Sequence, residues 1–258
     1  MENQKNGKFA GKVVIITGAA TGIGRSTALE LIAEGARVGI TDINANALEE
    51  TAEMIKNAGG EVIAIAGDIV EADTIDILAS KVVEAFGRID GLVNNAGIVM
   101  GKPILEHTKE DFDKIVGVNT WSYLLTAKRV VPEMQKNGKG SVVNVASVGA
   151  SVAIPQLGVY CTSKAAVLGL TRSMAYDLGP EIRVNAISPG GVLTPMAEED
   201  FANYPSREAA LEVRAGEQIQ KRYADPEELA KGIVFLLSDS SSFMTGSEMK
   251  MDGGWTAW

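Results

Sequence analysis

The chain has 258 residues, 46% of them hydrophobic and 22% charged, with a formal net charge of -9. That mix suits a globular protein with one substantial core, and its acidic balance argues against the clustered basic face that nucleic-acid binding needs. A single cysteine, Cys161, excludes an internal disulfide framework, and a single histidine, His107, leaves no zinc cluster and one candidate for a Ser-His-Asp triad.

No apolar run reaches the length of a membrane span, and the polar opening MENQKNGKFAGK lacks the apolar core of a signal peptide. The expectation is a cytoplasmic protein with no membrane partner and no metal site. In chain order, β-rich apolar runs are predicted at 12–17, 37–42, 61–68, 89–97, 141–147, 183–190 and 247–254. Helical patterns fill 25–36, 44–59, 74–87, 110–138, 159–179 and 226–239. Continuous Val/Ile runs, as in KVVIIT, mark strands buried on both faces of a parallel sheet. Strand–helix alternation without a linker predicts one α/β domain over 1–258, doubly wound, with seven strands.

Helix punctuation agrees with this pattern. Asp225-Pro226 predicts an N-cap followed by Pro at the first helical position. Gly59, Gly138 and Gly179 each follow a helical run, where a left-handed residue is expected. Residues 194–224 are long, Pro-interrupted and mixed, which fits a functional lid.

The first chemical motif is TGAATGIG, Thr17 to Gly24, placed between the first strand and its helix. Gly18, Gly22 and Gly24, with Thr21 and Ile23 between them, allow a tight turn and close backbone approach to a pyrophosphate at a helix N-terminus. Taken alone such a pattern is no more than a flexible turn; its position makes it a phosphate cradle. Asp42 closes the second strand 18 residues beyond Gly24, where a carboxylate binds ribose hydroxyls and repels a 2′-phosphate. Asp42 could equally cap the next helix, and Arg25 could contact a 2′-phosphate; the balance favours NAD over NADP. Ile43 follows Asp42, and Asp68 and Ile69 fall where an adenine would lie. Asn95, Ala96 and Gly97, within NNAG, end the fourth strand on the carboxyl edge where such sheets bind ligands.

In YCTSK, Tyr160 and Lys164 are four residues apart, so on a helix they share one face with Cβ atoms about 5–6 Å apart. A phenol near its ordinary pKa is a poor base at neutral pH, and a neighbouring ammonium lowers it.

With TGAATGIG, Asp68, NNAG, Asn119, Ser147, YCTSK, SPGGVLT and DGG in this order, the chain resembles the short-chain dehydrogenase/reductase family, in its branch of about 250 residues, from Lys12 to Gly254. The resemblance implies a Rossmann-type sheet of seven parallel strands in the order 3-2-1-4-5-6-7. It also implies a catalytic set of Asn119, Ser147, Tyr160 and Lys164. Tyr160 exchanges a proton with the substrate oxygen, Ser147 holds that oxygen, Lys164 tunes the phenol and grips the nicotinamide ribose, and Asn119 supports a relaying water. Pro189, Gly190 and Val192 are expected at the nicotinamide face, and Thr194 at its carboxamide or at the pyrophosphate.

Residues expected to line a substrate pocket are Val99, Met100, Val148, Ala150, Ile154, Gln156, Leu157, Gly191, Leu193 and Met196, with Ser147 and Tyr160. This apolar set fits a hydrophobic or cyclic secondary alcohol or its ketone. The alternative within enzymes is an NADPH-dependent 3-oxoacyl-carrier-protein reductase, and outside them a catalytically silent nucleotide-binding scaffold. Too few residues follow Gly190 for the substrate domain of a sugar-nucleotide epimerase. Cys161 is expected to be a packing residue, His107 to face solvent, and Met174, Met244, Met249 and Met251 to fill the core. Trp255 and Trp258 are expected at a subunit interface, with the rim of an active site or packing on their own domain as the alternatives. A homotetramer built on the long helices is the assembly the family implies.

Overall fold

The computed structural model describes residues 7–202 and 204–257. Met1 to Asn6, half of the polar opening MENQKNGKFAGK, together with Asn203 and Trp258, lie outside the described residues. The seven strands are β1 (Val13–Thr17), β2 (Arg37–Asp42), β3 (Val62–Ala66), β4 (Gly91–Asn94), β5 (Gly140–Val145), β6 (Ile182–Pro189) and β7 (Glu248–Met251). All pair in parallel, in the order β3-β2-β1-β4-β5-β6-β7. Parallel strands need crossovers, and helices supply them: α1 (Gly22–Ala33), α2 (Ala45–Asn57), α3 (Ala72–Phe86), α4 (Lys109–Val116), α5 (Ser122–Lys136), α6 (Gly158–Leu178), α7 (Pro195–Phe201), α8 (Arg207–Ala215) and α9 (Pro226–Leu237). The chain switches direction across the sheet at β1/β4, the place where such sheets form their ligand crevice.

Two apolar cores sandwich the sheet, because β1 sends alternate residues to opposite faces. Val14 and Ile16 join Leu31, Ile40, Leu229 and Ile233 on one side; Val13 and Ile15 join Leu78, Val82, Leu92 and Val130 on the other. Met174 is buried, and Met244, Met249 and Met251 pack against the first core.

Three local expectations change. The run 110–138 is not one helix. Residues Gly117–Trp121 form a π turn between α4 and α5, and Asn119 lies inside it, fully buried. Gly59 and Gly138 are left-handed, but Gly179 is not: its φ of -74° is extended, leading directly into Pro180. His107 does not face solvent. Its side chain is only 3% exposed, 4.0 Å from the Asp111 carboxylate. Asp111 forms a capping box with Thr108 and draws Lys102 to 2.7 Å, folding this Lys- and Pro-rich connection onto itself.

The expected lid contains two helices, α7 and α8, and its base is fastened. Val192 pairs with Ala224, Leu193 N–H donates to the Ala224 carbonyl and Ala224 N–H to the Gly191 carbonyl. Asp225 caps α9 with Pro226 at its first turn, as the sequence predicts.

Candidate active site

The glycine turn is pinned before any ligand arrives. Gly18 and Gly22 have positive φ, 63° and 53°. The Asn95 side chain donates to the Thr17 and Gly18 carbonyls at 3.0 and 2.8 Å, while Thr17 Oγ1 accepts from Asn95 and Ala96 N–H. Asn95 is thus committed to the turn, tying the end of β4 to the end of β1. A Cβ on Gly24 would collide with the Gly18 carbonyl oxygen and stand 2.7 Å from the Asn95 amide. Gly24→Ala is therefore expected to spoil this cradle, weakening nicotinamide dinucleotide binding on the order of tenfold or more by titration, with some loss of melting temperature.

Thr21, the residue before α1, makes no side-chain cap, so the first N–H groups of the helix stay available to an anion. Thr194 faces this turn. Its methyl would lie 3.0 Å from a Cβ on Gly22, and its hydroxyl caps α7. Bare backbone, an uncapped helix start and a hydroxyl converge, which fits a bound pyrophosphate.

Asp42 ends β2 beside this cradle. Its carboxylate accepts from Ala20 N–H and from Asn44 N–H, each at 3.0 Å, so it serves both the glycine turn and the start of α2. Arg25 is committed elsewhere: its guanidinium donates to the Ala20 and Ala47 carbonyls and Thr51 Oγ1, and pairs with Glu50. Ile43 is 72% exposed at the rim, whereas Ile69 is buried and Asp68 holds Val70 N–H.

The four expected catalytic residues reach one end of the sheet from three elements. Ser147 follows β5 in extended conformation, its Oγ accepting from Gly149 N–H at 3.1 Å. Tyr160 and Lys164 lie in the first turns of α6. The π turn aims Asn119 inward: its amide donates to Ile98 O and Ser163 Oγ, and its Oδ1 accepts from Ile98 N–H. A Cβ on Gly97 would stand 3.4 Å from both Asn119 Oδ1 and Lys164 Nζ, so these two groups border one small space.

Lys164 is 3% exposed and its Nζ donates to Val145 O at 2.9 Å and Tyr123 Oη at 3.2 Å. Burial pushes its pKa down to about 7. Its Nζ stands 5.9 Å from the Tyr160 ring centre. Burial also pushes the Tyr160 phenol above its ordinary value, with a hydrogen bond from Ser147 pulling the other way. The lowering expected from Lys164 does not appear in the protein by itself: burial sets the direction, and the opposing pull comes from Ser147.

Tyr123 was not signalled by any motif. It is fully buried, donates to Val145 O at 3.1 Å and positions the Lys164 ammonium from α5. Beneath it, Asn94 bonds Asn144, Asn144 bonds Thr171, and Thr126 bonds Asn94, a satisfied polar chain joining β4 and β5 to the two long helices.

The expected pocket is only partly gathered. Val148 and Gly191 are buried, Val99 and Leu157 half-buried, and Gln156 exposed with φ 62°, its carbonyl taking Lys102 N–H. Met196 is 36% exposed on α7. Pro189 is buried at the end of β6, and Gly190 N–H bonds Met251 O. Cys161 packs its sulfur 3.1 Å from where a Cβ on Gly149 would be, against the turn that follows Ser147. A cavity of about 320 Å³ opens between Val152, Val213, Gly216, Glu217 and Trp255, none of them expected pocket residues. Trp255 thus faces the lid. A second cavity, about 290 Å³, lies at the opposite edge of the sheet around Lys12, Asp90 and Arg183, away from every expected site residue. Among the described residues no group of three or more His, Cys, Asp or Glu could hold a metal ion, and no helix is long and apolar enough to cross a membrane.

Residues 18–256 match the family model described as Enoyl-(Acyl carrier protein) reductase. The chain belongs to the short-chain dehydrogenase/reductase family. An uncharacterized oxidoreductase of Thermotoga maritima is 44% identical, over 96% of this chain and 99% of its own length. The 3-oxoacyl-(acyl-carrier-protein) reductase of the same organism is 40% identical, over 96% and 98%. Levodione reductase of Leifsonia aquatica is 37% identical, over 97% and 96%. The crystal structure of levodione reductase superposes with a TM-score of 0.92 at 36% identity, covering 96% of this chain and 99% of that one. As a member of this oxidoreductase family, the chain is built to bind a nicotinamide cofactor.

Proposed function

We propose that this protein is an NAD(H)-dependent oxidoreductase that interconverts a secondary alcohol and its ketone on a hydrophobic or cyclic skeleton. The observation that carries the reading is the convergence of Ser147, Tyr160, Lys164 and Asn119 at the sheet edge that also presents the glycine cradle. When bound, the nicotinamide supplies or accepts hydride. The chain's own residues manage the oxygen and its proton. Ser147 Oγ holds the substrate oxygen, and Tyr160 Oη gives up or takes its proton. Lys164 offers a cation beside the phenol and a donor to a ribose hydroxyl. Asn119, next to the Lys164 ammonium, supports the water through which that proton reaches solvent.

NAD is favoured over NADP because Asp42 is held in place by two backbone N–H groups while Arg25 is consumed by its four partners. A 2′-phosphate would meet a fixed negative charge, beside an Arg25 that is already engaged. Asp42→Ala is expected to lower kcat/KM with NAD on the order of tenfold while raising or sparing that with NADP. Cofactor preference measured in parallel decides this; a parent enzyme that prefers NADP contradicts it.

A second reading, an NADPH-dependent 3-oxoacyl-carrier-protein reductase, is favoured by the 40% identity to such an enzyme. The net charge of -9 disfavours docking an acidic carrier. Reduction of a 3-oxoacyl thioester with NADPH, faster than any alcohol is oxidised with NAD, would select it. Exposed Phe112, Trp121 and Tyr176 along α4, the π turn and α6 support the proposal that the long helices pair in a homotetramer.

A further inference from the structure

The lid carries a polar group that the proton chemistry at Tyr160 does not use. Glu217, just after α8, lines the cavity with Val152, Val213, Gly216 and Trp255, and its Oε2 is buried without a hydrogen-bond partner. The cation best placed to satisfy it is spent: Arg214 grips Asp200 with two hydrogen bonds, at 2.9 and 3.0 Å. A buried carboxylate oxygen without a donor is costly, and such groups persist where a ligand completes them.

Contacts of the cavity walls and their chain neighbours link them to the loops around the site. Gln218, adjacent to Glu217, lies against Gly190 and Gly253, and Tyr223 covers Gly191, so this part of the lid rests on the loop that ends β6. Val152 N–H bonds Val148 O, in the turn that begins at Ser147. The other walls, Val152, Val213 and the Trp255 ring, are apolar and suit a hydrocarbon skeleton.

We infer that Glu217 is a specificity residue that accepts a hydrogen bond from a second hydroxyl of the substrate, so that the preferred substrate is a diol or hydroxyketone. This rests on the alcohol–ketone reading above and adds the substrate class to it. A substrate carboxylate or phosphate would meet Glu217 with like charge. A substrate ammonium would find Arg214 already paired with Asp200, both of which act electrostatically on Glu217, but would have to give up its own strong hydration on entering. A neutral hydroxyl avoids the like charge of the first and the desolvation cost of the second. Burial also holds the Glu217 carboxyl above its ordinary pKa, which suits a neutral partner.

The test compares kcat/KM for cyclohexanol, the isomeric cyclohexanediols and the aminocyclohexanols, in the parent enzyme, Glu217→Gln and Glu217→Leu, with melting temperatures to confirm folding. The parent should favour at least one diol over cyclohexanol. Glu217→Leu should cut that diol-to-alcohol ratio on the order of tenfold to a hundredfold, and Glu217→Gln, which keeps an acceptor, should retain most of it. A ratio unchanged in Glu217→Leu overturns the inference while leaving the alcohol–ketone reading intact. An amino alcohol preferred over every diol overturns the hydroxyl assignment. Turnover of neither class by the parent, with NAD or NADP, overturns the underlying reading and this inference with it.

Discussion

Tyr160→Phe is expected to abolish turnover, lowering kcat on the order of a thousandfold, while nicotinamide dinucleotide binding and the melting temperature stay close to those of the parent. The substitution removes one oxygen from a half-buried ring and leaves its packing in place. General acid–base catalysis contributes roughly 10²–10⁴-fold, and Tyr160 is the group to which the proposed reading assigns that proton. A second consequence concerns pH. Burial raises the Tyr160 pKa, so its base form is scarce at neutral pH and grows as the solution becomes alkaline. Alcohol oxidation, which needs the phenolate, should therefore rise with pH, and ketone reduction, which needs the phenol, should fall. Unchanged turnover in Tyr160→Phe across the alcohols tested contradicts the assignment.

Lys164→Met is expected to lower turnover on the order of a hundredfold and to change how stability depends on pH. The two effects have separate causes. Turnover falls because the cation beside the phenol is lost. Stability changes because the folded protein holds this ammonium in a buried site, with its pKa pushed down to about 7 from the ordinary 10.5. Between those values the unfolded chain binds more protons than the folded one, so this group makes stability rise with pH across that window. Below about 7 both states are charged and the full burial penalty applies. Relative to the parent, Lys164→Met should thus be more favourable in melting temperature near pH 6 than near pH 9. A difference that does not vary with pH would show that Lys164 is not desolvated as described.

How much of this was legible follows from how local each signal is. The glycine turn, Asp42 and the Tyr160–Lys164 pair are short-range patterns whose spacing fixes their geometry; alternating buried runs predict the parallel α/β class, whereas the sheet order came only with the family resemblance. Tyr123 escaped because it meets Lys164 across 41 residues, and nothing in a buried helical tyrosine marks it as a lysine's partner. Glu217 escaped for a similar reason: its place is set by Gln218 and Tyr223 seating on Gly190 and Gly191, a tertiary register that the mixed sequence of the lid does not encode locally. His107 was misread because Lys and Pro neighbours suggest solvent, yet its ring is buried beside Asp111, a residue that the capping box with Thr108 holds in place. The helical run at 110–138 hid a π turn, since one inserted residue leaves the apolar pattern almost unchanged while redirecting Asn119 inward. Gly179 looked like a helix cap because composition shows glycine but not φ.

The most direct test of the central claim is a turnover panel of linear and cyclic secondary alcohols, run in parallel with NAD and NADP and followed by the absorbance of the reduced nicotinamide. The account predicts oxidation of at least one cyclic secondary alcohol, faster with NAD than with NADP, and lost in Tyr160→Phe. Oxidation that is faster with NADP, or that persists in Tyr160→Phe, contradicts it.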